Sequence, residues 1–448
     1  MRCLTRPFAT FVRTMPACPI SMPAEPSREE RPLAQPRNLP PMPRLHRRNY
    51  SHSYQFVPME RRADGWLPEM LSSQHPHRCE DARFLLVEDD KDKSGLGYTA
   101  RLLSSTLLLA VRDSRVLLEA PRREPATGKP AGRWCDRPPH TLQCAYRAWS
   151  HCPLPDPEGA TSFESVCAHQ CPAANRSCGA PSSGRFKSHC FLDHGRLRKA
   201  RVVSIKLSSI SVNGLLWMSP GPNFATVGRS AHRLLFAPRA WVDEAARCVM
   251  GAAGLSPGRF VSVHLRRSPE KASEASAQHK RLPAVAEYLG LARLAADATG
   301  LRNCFVQVAS PTLLVDFLAA ARGANLSVSH TNNPRQESDA WGGWLAGGGA
   351  AATQTAVAAV NARIASQAAL VISPSISLWT TFLGYLMEGP SAWGESYTCA
   401  AGATRPGRGV GGGGWLRMFG ARGELMSTEV QQRMRQAEAR YGCRKIRA

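Results

Sequence analysis

Several features that would assign this sequence to a common class of protein are missing. No apolar run reaches the roughly 18 residues that a membrane-spanning helix needs, so no transmembrane helix is predicted. The opening stretch, MRCLTRPFATFVRTMPACPI, is interrupted by arginine and proline and is not typical of a signal peptide. Long lysine–arginine runs, zinc-finger spacings and aromatic–basic RNA-binding signatures are also lacking. These absences make binding to nucleic acid an alternative that the sequence does not favour.

The chain nevertheless carries a net charge of +23, from 57 basic against 34 acidic residues. Arginine supplies far more of this charge than lysine, and the basic residues are spread along the whole chain. Such a balance indicates either an anionic small substrate or a generally arginine-rich proteome.

The chain has 14 cysteines, which is many for a cytosolic enzyme. Several lie close together in a loop-rich region, at Cys79, Cys135, Cys144, Cys152, Cys167, Cys171, Cys178 and Cys190. This clustering predicts disulfides in an oxidising compartment, although the sequence does not give their pairing. A zinc site at Cys167-Ala-His169-Gln-Cys171 is the alternative, but no paired CxxC accompanies it.

Glycosylation sequons begin at Asn49, Asn175 and Asn325 and agree with a lumenal location. Because no leader is recognisable, a lumenal location requires that the natural amino terminus lies upstream of this sequence. Otherwise the cysteines are reduced.

The sequence predicts an α/β protein in four segments. Residues 1–78 are rich in proline and arginine and are expected to form a disordered tail or stem. Residues 79–255 form a cysteine-rich amino-terminal α/β half. Residues 256–390 form a doubly wound, Rossmann-like donor-binding domain. Residues 391–448 contain a glycine-rich loop and a terminal helix.

In the amino-terminal half, a strand at 84–88 leads through a glycine-containing loop and a helix to a strand at 115–119. This is the pattern of a βαβ unit. Gly95 and Gly97 in the loop indicate a possible substrate loop, because glycine lets a ligand approach the backbone; glycine also simply makes tight turns.

The second half alternates strands and helices more regularly. The predicted strands are 260–264, 303–309, 326–329 and 369–373, and the predicted helices are 283–298, 311–322, 351–366 and 376–387. A further helix is predicted at 231–253, at the end of the amino-terminal half. This alternation is typical of a parallel sheet, whose carboxyl edge is where ligands bind.

Two polar stretches are expected at that edge. His264-Leu265-Arg266-Arg267 follows a buried strand, and Lys271 lies close behind it. Paired guanidinium groups suit a diphosphate, although a solvated basic turn would have the same composition. Ser373-Pro374-Ser375-Ile376-Ser377 precedes a helix, where hydroxyls and unpaired N–H groups bind anions or simply cap the helix.

These stretches resemble a known family. HLRRSPEK at 264–271 looks like the HxRRxDK-type motif of the α1,6-fucosyltransferase family (GT23) and its O-fucosyltransferase relatives. The stretch VNARIASQAALVISPSIS at 360–377 is similar to a second motif of that family, and AEYL at 286–289 resembles its EEY segment. The resemblance extends over roughly residues 80 to 390.

The resemblance implies a GT-B-like fold and an inverting transfer of fucose from GDP-fucose, with no metal and no cofactor. The acceptor would be a glycan or glycoprotein, as in N-glycan processing, and the location the Golgi lumen or another part of the secretory pathway. The partners would therefore be a nucleotide sugar and a glycan acceptor, with no nucleic acid.

The resemblance also implies roles for individual residues. Arg266 would hold the donor's β-phosphate and act in catalysis, while Arg267 and Lys271 would support the phosphates or their loop. The remaining positions follow from the motifs: His264 orients the donor, Tyr288 lines the nucleotide pocket, Ser375 and Ser377 bind phosphate or fucose, Asn361 contacts the donor, and Glu274 is the candidate base.

This chain departs from the family at three places where the family has acidic residues. Pro269-Glu270 replaces the aspartate of the first motif, Ala309-Ser310 stands where an acidic pair would contact guanine, and Asn361 replaces another aspartate. A carboxylate accepts two hydrogen bonds from the guanine edge, and alanine accepts none from its side chain. A catalytically inactive relative that binds glycan or nucleotide is therefore the alternative function.

Overall fold

In the computed structural model the described part of the chain consists of residues 67–90, 95–123, 130–131, 134–135, 139–168, 195–210, 224–267, 272–273, 275–276, 281–332, 351–375, 377–387, 395–399, 416–420 and 427–446. These residues form two compact units. The amino-terminal unit contains residues 67–90 and 99–237, and the carboxyl-terminal unit contains residues 95–98 and 238–446. The boundaries predicted from the sequence near 78, 255 and 390 stay predictions.

A parallel sheet is the centre of the amino-terminal unit. Its strands are β1 (Arg83–Glu88), β2 (Arg115–Ala120), β5 (Thr161–Ser162) and β6 (Val202–Lys206), in the order β2-β1-β6-β5. A short antiparallel pair, β3 (Arg122–Arg123) and β4 (Pro130–Ala131), follows β2. The helices of this part of the chain are α1 (Leu67–Gln74), α2 (Leu96–Arg112), α3 (Phe163–Ala168), α4 (Gly195–Lys199) and α5 (Phe224–Leu235). The central residues of β1 and β2 are buried, as expected for strands covered on both faces.

The buried guanidinium of Arg115 ties together the beginning of this sheet. Its side chain is completely buried, and its Nε lies 2.5 Å from a carboxylate oxygen of Asp113. The other nitrogens donate to main-chain oxygens, those of Phe84, Leu197, Ala200 and Arg201. One side chain thus satisfies carbonyl groups from two separate segments of the unit, β1 and residues 197–201.

A seven-stranded sheet is the centre of the carboxyl-terminal unit. Its strands are β7 (Val261–His264), β8 (Asn303–Gln307), β9 (Ser327–His330), β10 (Leu370–Pro374), β11 (Glu395–Cys399), β12 (Leu416–Gly420) and β13 (Cys443–Ile446). The order is β13-β11-β12-β10-β7-β8-β9. Strands β10, β7, β8 and β9 run parallel to one another. β12 pairs antiparallel with β10, and β11 pairs antiparallel with both β12 and β13. The helices are α6 (Ala240–Ala253), α7 (Val285–Thr299), α8 (Pro311–Ala321), α9 (Ala351–Ser366), α10 (Leu378–Leu386) and α11 (Thr428–Arg440).

The predicted α/β class is confirmed. The chain has a cysteine-rich amino-terminal α/β part and a Rossmann-type sheet in the second half. The GT-B-like arrangement that the resemblance implies stays a prediction. The predicted strands of that second sheet agree with β7, β8, β9 and β10 to within a few residues, and the predicted helix at 351–366 has the same limits as α9.

Three local predictions were wrong. The single helix predicted at 231–253 is interrupted between α5 and α6, because Pro238 has no N–H to donate and its ring hinders a continuing helix. Helix α1 lies inside the segment that was expected to be disordered. Strands β11, β12 and β13 lie in the segment that was expected to contain only a loop and a helix.

The prediction of disulfides is confirmed. Cys79 pairs with Cys152, Cys135 with Cys144, and Cys399 with Cys443. Cys167 is also disulfide-bonded, so it is not a thiolate ligand for zinc in this structure. The other two members of that zinc alternative, His169 and Cys171, lie outside the described residues. In the part of the chain that the structure describes, no helix has both the length and the apolar character to cross a membrane.

Candidate functional site

The carboxyl ends of β7, β8 and β10 form the edge at which the sequence predicts a site. β7 lies between the other two strands and is parallel to both. His264 at the end of β7 is in register with Gln307 at the end of β8, and the next residue, Leu265, donates its N–H to the Gln307 carbonyl at 2.9 Å. The polar residues that follow β7 and β10 are therefore brought to one edge of the sheet.

His264 belongs to a buried chain of hydrogen bonds. Its Nδ1 lies 2.9 Å from the Ser373 hydroxyl oxygen, which lies 2.6 Å from the Thr380 hydroxyl oxygen. Thr380 in turn donates to the main-chain carbonyl of Pro374 at 2.7 Å. A hydroxyl has one hydrogen, so Thr380 accepts from Ser373, and Ser373 accepts from Nδ1–H of His264. This direction leaves Nε2 of His264 as the ring nitrogen with a lone pair.

The imidazole of His264 is neutral at physiological pH. Its burial, and next the positive charge of Arg266, lower the pKa of His264 from 6.5 to about 3. A group with so low a proton affinity is a poor general base at neutral pH. His264 can instead accept a hydrogen bond through Nε2, which agrees with the orienting role expected from the sequence.

Arg266 and Arg267 leave the sheet directly after β7 but differ in exposure. The side chain of Arg266 is partly buried, whereas Arg267 is exposed. The hydroxyl of Tyr288 lies 3.4 Å from the main-chain nitrogen and 3.5 Å from the main-chain oxygen of Arg266. Tyr288 itself is completely buried on α7, where it belongs to the hydrophobic core. Tyr288 therefore holds the main chain of Arg266 through its hydroxyl, from within the hydrophobic core.

The start of α10 supplies the second polar element. Ser377 is the residue before the helix; its side chain is 1% exposed, and among the described residues its hydroxyl has no hydrogen-bond partner. Ser375 lies in the preceding turn and is partly buried. The first N–H groups of a helix lack intrahelical partners and carry partial positive charge. An orphaned hydroxyl at such a helix start suits an anionic ligand.

The two glycines of the predicted substrate loop have different surroundings. Gly97 lies in the first turn of α2, and a Cβ atom there would lie 2.6 Å from the main-chain nitrogen of Trp379 and 2.8 Å from the carbonyl carbon of Leu378. Gly97 therefore permits a close approach to the backbone at the start of α10. A Cβ on Gly95 would meet nothing within 4 Å.

Two residues of this edge were not identified from the sequence. Gln307 donates from Nε2 to the Ser262 hydroxyl at 2.9 Å and accepts at Oε1 from the Trp379 indole N–H at 3.1 Å. Gln307 could have been found, because it is a polar residue at the carboxyl end of a buried strand. Trp379, with its ring 6.2 Å from that of His264, gave no signal beyond its helical position.

The remaining predicted residues are placed differently. Asn361 on α9 accepts a hydrogen bond from Thr331 at 3.2 Å. Ser310 caps α8 by accepting a hydrogen bond from the N–H of Leu313 at 3.0 Å. The serine at this position, where the resemblance implies an acidic residue, therefore serves as a helix cap. Lys271 and Glu274 lie outside the described residues. Their roles, like those of the other site residues, stay predictions.

No protein-family model and no curated protein sequence matches this chain. Among solved structures, POFUT1 in complex with GDP-fucose matches with a TM-score of 0.41 at 11% identity, covering 69% of this chain and 96% of that chain. POFUT1 in complex with GDP matches with a TM-score of 0.39 at 12% identity, covering 69% and 97%. A mutant of Arabidopsis thaliana FUT1 in complex with GDP gives 0.37 at 15% identity, covering 71% and 72%. These scores and identities are too low to transfer an activity.

Proposed function

We propose that this protein is a fucosyltransferase-like glycosyltransferase that uses GDP-fucose and acts on a glycan or glycoprotein. The observation that carries the proposal is the placement of Arg266 and the orphaned hydroxyl of Ser377 after neighbouring parallel strands. A diphosphate has charged oxygens that can take both a guanidinium and a hydroxyl with helix N–H groups. A nucleotide sugar is the glycosyl donor with that chemistry.

The transfer would use these residues as follows. Breaking the bond between fucose and the diphosphate places negative charge on the leaving phosphate. The fixed charge of Arg266 stabilises that charge more in the transition state than in the ground state. Neutral His264 would orient the donor through Nε2, and a carboxylate, for which Glu274 is the candidate, would accept the proton of the acceptor hydroxyl. The proposed reaction inverts the sugar configuration and uses no metal or cofactor.

The location proposed is the lumen of the secretory pathway, with the Golgi as the compartment. The disulfides agree with an oxidising environment, and the sequon residue Asn325 is exposed. The α1,6 linkage and membership of GT23 are the finer form of the proposal, which the motifs at 264–271 and 360–377 support.

A specific observation favours an inactive relative as the second candidate. Ser310, at the position expected to contact guanine, uses its hydroxyl to cap α8, and its neighbour Ala309 has no polar side-chain atom. The chain therefore lacks carboxylates at these two positions to pair with the guanine edge. A protein of this kind would bind glycan or nucleotide without transferring a sugar.

Calorimetric titration of the whole chain with GDP, UDP and GDP-fucose would test the donor site. We expect GDP and GDP-fucose to bind, and Arg266→Ala to weaken both by about 10- to 100-fold, as expected for loss of a charge-assisted hydrogen bond. Arg433→Ala, on the exposed face of α11, is the matched control and should leave affinity unchanged. Folded wild-type protein that binds none of the three nucleotides would refute the donor site.

Transfer kinetics would separate an enzyme from an inactive relative. With radiolabelled GDP-fucose and a mixture of glycoprotein acceptors, we expect transfer that falls by about 30-fold or more in Arg266→Ala, which corresponds to about 2 kcal/mol. Binding of GDP-fucose without transfer to any acceptor would identify the inactive relative. Equal transfer rates in both proteins would contradict the role of Arg266.

A further inference from the structure

A second cluster of reactive side chains lies in the amino-terminal unit, and the proposed glycosyl transfer makes no use of it. His75 follows α1, and Cys79 lies four residues further along; His151 and Cys152 are adjacent in a later loop. The planes of the two histidine rings are nearly parallel, at 11° to each other, and their Nδ1 atoms form a hydrogen bond of 3.2 Å. Cys79 and Cys152 form a disulfide directly beside them.

The separation of the two nitrogens agrees with a shared tetrahedral metal ion. Zinc binds histidine nitrogen at about 2.0–2.1 Å, so two nitrogens on one tetrahedral zinc are separated by about 3.3 Å. One ring nitrogen of His151 and the sulfur atoms of Cys79 and Cys152 all lie within 4.8 Å of one another. Two thiolates on zinc, at about 2.3 Å each, would be separated by about 3.8 Å. The two sulfurs and His151 therefore lie close together, and His75 adjoins them through its contact with His151. Two imidazoles and two sulfurs are one of the common ligand sets of structural zinc.

The protein holds the two segments together without help from the disulfide. Ser150 donates its hydroxyl to the main-chain oxygen of Gln74 and accepts from the N–H of Cys152 at 3.1 Å. Both polar atoms of the Gln74 side chain form hydrogen bonds with β2. Nε2 donates to the Arg115 carbonyl at 3.4 Å, and Oε1 accepts from the Leu117 N–H at 2.8 Å. Breaking the disulfide would therefore leave His75 and His151 close to their present positions.

We propose that His75, Cys79, His151 and Cys152 form a zinc-binding site when the Cys79–Cys152 disulfide is reduced. A thiol or phosphine reductant supplies two electrons and is itself oxidised, the S–S bond breaks, and each sulfur takes a proton. Zn²⁺ then displaces both thiol protons to solvent and binds two thiolates and two neutral imidazoles. Small side-chain rotations bring the sulfurs to the metal and His75 in beside His151.

The disulfide and the metal exclude each other, because a disulfide sulfur has no thiolate charge to donate. The same four residues can therefore join the segment after α1 to the loop at 151–152 in two different ways. In an oxidising compartment the covalent bond joins residues 79 and 152, and in a reducing one the metal does. The site is independent of the donor site, since all its ligands lie in the amino-terminal unit.

Cobalt is the suitable probe, because tetrahedral Co²⁺ with thiolate ligands has intense visible bands and a thiolate-to-metal charge-transfer band. The full chain would be reduced with a phosphine, which competes less for metal than a dithiol, and then titrated with Co²⁺ and afterwards Zn²⁺. We expect one equivalent of Co²⁺ to give both bands and Zn²⁺ to remove them. Chain that has not been reduced should give no charge-transfer band.

Matched variants distinguish this site from the other cysteines that reduction releases. Cys135→Ser with Cys144→Ser should keep the bands, whereas Cys152→Ser should reduce the charge-transfer intensity by about half or more. His151→Gln, which changes an exposed side chain, should weaken Co²⁺ binding by about 10-fold or more and leave the oxidised fold intact by circular dichroism. Reduced wild-type protein without the bands, or bands unaffected by His151→Gln, would overturn the proposal.

Discussion

The imidazole Nδ1 of His264 lies 2.9 Å from the hydroxyl oxygen of Ser373. This bond joins the ends of β7 and β10, two neighbouring parallel strands, and Thr380 on α10 extends it. The three side chains are at most 9% exposed. They fix the start of α10 relative to β7, the strand that ends two residues before Arg266. The arrangement of polar groups in the candidate site therefore depends on these buried hydrogen bonds.

Replacing Ser373 should therefore destabilise the protein. In Ser373→Ala the Nδ1–H of His264 loses its acceptor inside the unit, and an unpaired buried polar group costs about 1–3 kcal/mol. Urea unfolding with the disulfides intact measures this loss. Ser375→Ala, two residues further in a partly buried turn, is the control and should change the free energy of unfolding by about 0.5 kcal/mol or less. Equal effects of the two substitutions would contradict the network.

Stability should fall as the pH is lowered below the ordinary pKa of histidine. Burial is the main cause that lowers the pKa of His264 from 6.5 to about 3 and that of His232 from 6.5 to about 4. The unfolded chain therefore binds protons at these histidines in a pH range where the folded protein does not. Each contribution is complete above about pH 6.5 and is lost toward the folded pKa, at about 1.4 kcal/mol per pH unit.

The variant His264→Asn tests this dependence, since asparagine can still bond to Ser373 but does not titrate. Between about pH 6 and 4, its free energy of unfolding should decrease less steeply than that of the wild type, by about 1.4 kcal/mol per pH unit. At pH values above about 7 the two curves should run parallel. Parallel curves over the whole range would show that His264 is not held neutral by the fold.

Gly97→Ala should be destabilising although alanine normally favours a helix. The new Cβ would lie 2.6 Å from the main-chain nitrogen of Trp379, so one of two backbone segments must move. Overpacking of this kind costs about 1–3 kcal/mol. Gly95→Ala is the matched control, because a Cβ there meets nothing within 4 Å, and its unfolding midpoint in urea should stay near that of the wild type. An unchanged free energy of unfolding in Gly97→Ala would mean that the backbones at Gly97 and at the start of α10 can move apart at little cost.

Arg115→Met should be the most damaging of these substitutions. It leaves Asp113 without its 2.5 Å partner and several main-chain carbonyls of the amino-terminal unit without donors. Removing one member of a buried ion pair costs about 3–5 kcal/mol. Arg433→Met removes an exposed ion pair with Glu429 on α11 and should cost about 0.5 kcal/mol or less. Thermal unfolding of the two variants side by side provides the comparison.

The sheet edge could be predicted because its signals are local. The sequence predicts a buried strand at 260–264 that is followed by polar residues, and the stretch at 369–377 repeats this pattern. Parallel strands place their carboxyl ends at one edge, so Arg266 and Ser377 could be assigned to the same site before their contacts were known. The hydrogen-bond chain through Ser373 and Thr380 needed coordinates, since it depends on how a strand end faces the first turn of the following helix.

Other parts depend on contacts between residues far apart in sequence. The strands at 395–399, 416–420 and 443–446 are short and have mixed composition, so that only their pairing in the sheet identifies them. The contact of Gly97 with Trp379 is of the same kind. The wrong prediction of one helix at 231–253 had a local cause, since the apolar pattern was given more weight than Pro238.

The antiparallel strands after β10 determine which truncated forms of this protein resist aggregation. A chain cut at residue 390 would keep every residue of the Rossmann-type pattern and yet lose β11, β12 and β13. Strand β10, whose five residues are buried, would then become an open edge with unpaired main-chain groups. Open apolar edges of this kind pair with other chains and aggregate. Expression trials should therefore keep the chain through Ile446, even when only nucleotide binding is of interest.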